Sequence, residues 1–217
     1  MIRLSQKICR TGTLIGAAFM LSALPVTAQA KSIKSQKFET SITAPLTQSV
    51  KIEVSLSEDL AWRANNLPRK LKDRGSSAPR RLNAGFSQNG FYGEADLERL
   101  QEKLKGRMNS RLNKAGIEVS ETAPTTLKLV LVDARPNRPT PEQLSRDISL
   151  TRLGSVANGG ARFEGEMFDA SGQSLGTLSF AFYERDFEEA AFSAVWTDVH
   201  RAIDRFTRRA AKQLTSE

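Results

Sequence analysis

The chain has 217 residues, 39% hydrophobic and 26% charged, with a formal net charge of +8, one cysteine and one histidine. A single cysteine excludes any disulfide framework, so stability must come from a packed core. One histidine and one cysteine also exclude the usual zinc and thiolate ligand sets.

The N-terminus carries Arg3, Lys7 and Arg10, then an apolar run from Thr13 to Leu24, then Pro25 and Ala28-Gln29-Ala30. This order is that of a cleavable secretory signal with Ala28 and Ala30 at the cleavage site, and it predicts cleavage between Ala30 and Lys31. As a helix the apolar run would reach about 18 Å, short of the roughly 30 Å hydrocarbon core, so a retained anchor fits it poorly. Cys9 precedes the run, whereas a lipoprotein needs its cysteine immediately after it. The expectation is a soluble, periplasmic protein with residues 1–30 removed and no transmembrane segment in what is left. At that size a single core can bury about two-thirds of the unfolded surface.

Losing Arg3, Lys7 and Arg10 takes the net charge from +8 to +5. Within 61–92, Arg63, Arg69, Lys70, Lys72, Arg74, Arg80 and Arg81 face one acid, Asp73, so the basicity is local. Gly75-Ser76-Ser77-Ala78-Pro79 in the middle reads as a solvated loop. Arg69, Lys70, Lys72, Arg74, Arg80 and Arg81 are the candidate contacts for an anionic envelope component such as phospholipid headgroups or lipopolysaccharide phosphates. Nucleic acid ranks below these, because no nucleic-acid module pattern is present.

In chain order, residues 31–48 are polar and read as a loose or extended segment. Val50, Ile52, Val54 and Leu56 alternate with polar residues, the pattern of a half-buried strand. Trp62 and Leu67 can pin the start of the 61–92 loop, and Phe86, Phe91 and Tyr92 its end. The spacing of Leu97, Leu100, Leu104, Met108 and Leu112 predicts a helix from about Ala95 to Ala115, closed by Gly116. Thr126–Asp133 is the strongest strand, apolar on both faces and so central. Pro136, Pro139 and Pro141 break the connection 135–160, where Thr140-Pro141-Glu142-Gln143 can cap one helical turn. Ala161–Asp169 and Ser174–Tyr183 read as a hairpin about a turn with Gly172 at positive φ. Phe192, Trp196, Val199, Ile203, Phe206, Ala210 and Leu214 form the stripe of a closing helix. These elements predict a single α+β domain over 49–217. It has two layers: a mainly antiparallel sheet of about four strands, with two amphipathic helices on one face.

The search for chemistry returns little. His200 sits off the apolar stripe of the last helix, and no G-x-S-x-G elbow accompanies it. No phosphate-cradling G-x-x-x-x-G-K or dinucleotide G-x-G-x-x-G is present. Glu164 and Glu166 share a strand face, but beside Arg162 they read as a solvated face rather than a facing pair of acids. The expectation is no catalytic residues, no cofactor and no metal.

Thr140-Pro141-Glu142-Gln143-Leu144, Asn158-Gly159-Gly160-Ala161, Asp169-Ala170-Ser171-Gly172-Gln173, Val195-Trp196-Thr197-Asp198-Val199 and Ile203-Asp204-Arg205-Phe206 together resemble a family of bacterial envelope proteins, often lipoproteins, whose domain has no assigned function. The match covers roughly residues 90–214. The order of elements is also similar to small periplasmic domains such as the amino-terminal domain of TolB. The resemblance implies a Gram-negative periplasm and a non-enzymatic role, and it supplies no catalytic residues; the partner expected is an envelope protein or an anionic envelope component. The chain departs from the family in lacking the lipobox cysteine. The function expected is a periplasmic binding or accessory protein. The alternatives are a hydrolase of envelope polymers, or a structural protein contacting a partner through a sheet edge.

Overall fold

Alternation of apolar and polar residues writes a sheet with one oily face, and two helices cover that face. The computed structural model describes residues 37–42, 45–68, 85–185 and 192–215. The strands are β1 (Lys37–Thr40), β2 (Val50–Leu56), β3 (Thr125–Arg135), β4 (Gly160–Phe168) and β5 (Ser174–Tyr183). The helices are α1 (Glu58–Trp62), α2 (Glu94–Lys114), α3 (Pro141–Arg146) and α4 (Thr197–Thr215). The sheet order is β1-β5-β4-β3-β2, with β2 and β3 parallel and every other pair antiparallel. This is the expected two-layer α+β architecture.

The two-residue period decides which side chains turn inward. Leu127, Leu129 and Leu131 of β3, Phe163 and Met167 of β4, and Leu178, Phe180 and Phe182 of β5 are buried. They meet Leu97, Leu100, Leu104, Met108 and Leu112 of α2 and Val199, Ile203, Phe206, Ala210 and Leu214 of α4. Phe206 lies over Phe163 with ring centroids 4.8 Å apart, and 6.1 Å from Phe180, joining helix to sheet at its centre. Each such side chain contributes about 1.5–3 kcal/mol by leaving water. The β4–β5 turn closes at Gly172 with φ 83°, a conformation that penalises a Cβ. At α3 the sequence signal becomes a full capping box. The Thr140 hydroxyl accepts from the Gln143 amide, and the Gln143 side chain accepts from the Thr140 amide.

Several expectations change. There are five strands rather than about four, because Lys37–Thr40, expected to be loose or extended, pairs with β5. Phe38 supplies the reason, packing 6.4 Å from Phe180. The basic stretch opens on a short helix, α1, capped by Ser57. β3 does lie between two strands, but Val130 and Val132 are only half-buried, since no layer among the described residues covers that face. The last helix begins at Thr197: Trp196, just before it, is buried with the stripe, while Phe192 is 94% exposed. Ile117–Val119 returns as expected, and Val119 bridges to Val50. Trp62, Phe86 and Tyr92 serve as packing anchors: the Trp62 indole donates to the Leu67 carbonyl at 3.0 Å, and Phe86 and Tyr92 are buried.

Candidate functional site

The outward positions of the sheet make the open face. Register places Glu53, Lys128, Glu166 and Thr177 side by side across β2, β3, β4 and β5. The next row is Ser55, Val130, Glu164, Ser179 and, on β1, Glu39. Two recesses indent this face. One, of about 390 Å³, is lined by Val130, Glu164, Glu166, Thr177 and Ser179. The other, of about 530 Å³, is lined by Lys51, Glu121, Pro124, Thr126 and Asp169. Lys128 and Phe168 line both, and the Lys128 ammonium sits 4.8 Å from the Phe168 ring centroid. The flanking acids are held in place: Glu164 by Arg162 at 2.6 Å, and Glu166 by the Ser174 hydroxyl at 2.6 Å. Lys51 hydrogen-bonds Glu53 at 2.9 Å and, with Lys128 and Lys105 nearby, holds its carboxyl below the usual range. Lys128 makes no ion pair among the described residues. The result, among the described residues, is a shallow surface with a lysine against an aromatic ring and several hydroxyls and carboxylates. It suits recognition of an extended polar ligand or a partner surface.

A second cluster lies at the carboxyl end of β3. Asp133 accepts from Arg63 at 2.8 Å, from Arg135 at 2.9 Å and from the Tyr183 hydroxyl at 2.7 Å. Arg63 also pairs with Asp59 at 3.0 Å, and its Nη1 donates to the Tyr92 hydroxyl, which donates onward to the Ser87 carbonyl. Burial alone would raise the Asp133 pKa; the Arg63 and Arg135 guanidiniums and the Tyr183 hydroxyl overcome it and hold the carboxyl below its ordinary value. Burial raises the Tyr92 and Tyr183 pKa values, and the Asp133 charge adds to the rise, so both stay protonated donors. Every strong group here is spent on another.

The third cluster joins the β3–β4 connection to α4. Buried Asp198 accepts from the Asn137 side-chain amide and from the Gly159 backbone amide at 3.2 Å. The Asn137 Oδ1 in turn accepts from the Asp198 backbone amide at 3.0 Å. The arrangement caps the first turn of α4 from a distant loop.

The sequence-predicted residues divide as follows. Ala28, Ala30, Arg69, Lys70, Lys72, Arg74, Arg80 and Arg81 lie outside the described residues. Arg63, from the same basic stretch, is buried in the Asp133 cluster. Glu164 and Glu166 stand on the open face, while His200 lies on α4 in the opposite layer. Burial lowers the His200 pKa, Lys103 and Arg107 lower it further, and Asp204 opposes them. The three groups named for acid–base chemistry are therefore not brought together. No group of three or more histidine, cysteine or acidic side chains among the described residues can hold a metal ion. No helix of the described residues is long and apolar enough to cross a membrane. The reading from sequence missed Lys128, Phe168, Asp133 and Asn137. The one available signal was Lys128, a charge at an outward position of the most apolar strand.

No family model matches the chain, and no curated protein matches it. Among solved structures it is similar to two of the PelC dodecamer from Paraburkholderia phytofirmans, one of them a single-residue variant. The variant is 9% identical, with TM-score 0.44, over 84% of this chain and 98% of that one. The other is 7% identical, with TM-score 0.45, over 84% and 99%.

Proposed function

We propose that the chain is an exported, soluble periplasmic binding or accessory protein of the cell envelope, working by contact rather than catalysis. The observation that supports this reading is the open sheet face, whose two recesses meet at the Lys128–Phe168 pair. A two-layer fold whose second sheet face no described element covers has that face available for a partner. The partner is an envelope protein or an anionic envelope component, and nucleic acid is not among the partners proposed. The signal-like N-terminus and the resemblance to envelope families motivate the compartment.

The test is a pull-down from periplasm-plus-envelope extract with the chain from Lys31 onward, at low and high salt. The wild type should retain a partner at high salt, and Lys128→Glu and Phe168→Ala should each release it. Recovery unchanged by both substitutions would remove the sheet face from the reading. Anionic material that is lost in salt, and also lost on deleting 69–81, would move the site to the basic segment. N-terminal sequencing of the exported form should begin at Lys31.

A second reading is favoured by the β2 edge. The Ser57 amide bonds the Leu131 carbonyl, so the backbone groups of odd-numbered β2 residues point to β3 and those of even-numbered ones to the other edge of the strand. Val50 is bridged by 118–120, and the Val54 carbonyl takes the Gln101 side chain. The backbone groups of Ile52 and Leu56 have no partner among the described residues, so a partner strand could add there. Val54→Pro, which removes an outward amide, should abolish such pairing and leave sheet-face binding intact.

A further inference from the structure

Among the described residues the fold buries most large apolar side chains and leaves three almost wholly in solvent: Ile148 is 99% exposed, Leu153 84% and Phe192 94%. All three belong to connections, not to helices or strands. Arg138 ties two of these connections together, its Nε donating to the Ser193 carbonyl at 3.3 Å and its Nη1 to the Leu153 carbonyl. The Leu153 tip and the backbone beside Phe192 therefore flank one guanidinium. Ile148 and Leu153 share a loop held from within. Leu150 packs with Phe86 in a small separate core, Asp147 accepts from the Ser149 amide and hydroxyl, and the Ser155 amide donates to the Thr151 carbonyl. With Leu150 fixed inward, Ile148 and Leu153 are presented outward on either side of it. None of the three adds to the core, and a polar residue would hold any of these positions equally well.

One charge beside the tips suits phosphate. Arg152, next to Leu153, is exposed and makes no ion pair among the described residues. Glu142 is paired with Arg146 at 2.7 Å and Glu184 with Arg201 at 3.9 Å, while Asp147, hydrogen-bonded by Ser149, keeps its charge. Single apolar tips set apart by backbone and a guanidinium make neither a contiguous patch nor a groove, which a protein partner would need. A fluid interface accepts separate tips. We propose that this end of the molecule docks on a phospholipid bilayer, with Ile148, Leu153 and Phe192 entering the interfacial layer and Arg152 meeting lipid phosphates. The inference deepens the envelope-contact reading but uses none of the sheet-face residues, so the two can fail separately.

The experiment is sedimentation with phosphatidylethanolamine–phosphatidylglycerol vesicles, using the chain from Lys31 onward, which carries every described element. The wild type should co-sediment. A triple variant, Ile148→Ser with Leu153→Ser and Phe192→Ser, should lose about tenfold or more in partitioning with an unchanged thermal midpoint. Arg152→Glu should lose less, on the order of threefold. Asp186, Glu188 and Glu189, close to Phe192 in sequence, limit purely electrostatic attraction, so salt should weaken binding less than the triple change does. Phe192→Trp should show a blue-shifted emission on adding vesicles. Absence of sedimentation, a triple variant that binds like the wild type, or an unshifted emission would each overturn the proposal. So would a protein captured by the wild type and not by the triple variant when vesicles are ignored by both. In that last case the envelope-contact reading would stand and the bilayer would not.

Discussion

Asp133 gathers two guanidiniums and a phenol around one carboxylate, and Arg63 reaches it from a nearly dry site. Such a pair is worth little against a hydrophobic substitute, but breaking it leaves an uncompensated buried charge. Asp133→Asn should therefore cost about 3–5 kcal/mol in urea unfolding at neutral pH. The same carboxyl sets an acid limit. Its folded pKa is depressed, so its contribution is present above the ordinary carboxylate value of about 4 and is lost as pH falls through the lowered value. The urea midpoint should drop below about pH 4 in the wild type and change less there in Asp133→Asn. His200 acts in a different window. Its folded pKa is also depressed, so the unfolded chain takes the proton more readily and stability declines as pH falls below about 6.5. His200→Gln should flatten the wild-type slope between about pH 6.5 and 5, while an unchanged slope would assign it to another group.

At the scale of elements, α2, β3 and the β4–β5 hairpin could be read from sequence because their apolar residues keep one period from end to end. The start of α4 could not. Phe192 lies four residues before Trp196, a helical spacing, yet the helix begins at Thr197. What fixes that start is remote: the Asp198 amide donates to Asn137, which lies before β4 in the chain. A cap supplied across the fold leaves no local trace. Asn137→Ala should remove both halves of this latch and leave Asp198 buried with only the Gly159 amide and Arg201. A loss of about 1–3 kcal/mol follows from taking one hydrogen-bond partner from a buried carboxylate. Amide exchange should quicken first in the opening turn of α4, and a uniform change across the chain would argue for global destabilisation alone. β1 was hidden for a related reason. Lys37–Thr40 is short and polar, and only the edge of β5 makes it a strand. Of the candidate site, Glu164 and Glu166 were legible as a solvated face, since alternation turns them outward. The pairing of Lys128 with Phe168 depends on the β3–β4 register, which no single strand reveals.

For the molecule as a whole, the two edges of the sheet are treated differently. β2 is bridged at one end by Val119, and farther along its edge the described residues offer only the Gln101 side chain, on the Val54 carbonyl. The β5 edge is sealed by β1, with Lys37 to Thr40 registered on Ala181 to Leu178 and the seal continued by the Ser41 amide on the Thr177 carbonyl at 3.0 Å. An open β5 edge would present backbone groups beside Phe180 and Phe182, the setting in which chains pair with one another. The N-terminal segment is thus part of the fold. A chain starting at Ser41 keeps Ile42 and Leu46 in the core and, of the described elements, loses β1. It should be less stable by about 1–3 kcal/mol, the value of part of Phe38 and a short ladder. It should also show light scattering that rises with concentration. Replacing Phe38 by Ala in the longer chain should give the stability loss with little of the scattering, because the backbone seal remains. If the shortened chain stays monomeric and unfolds at the same urea concentration, β1 is dispensable and the β5 edge is protected by its own side chains.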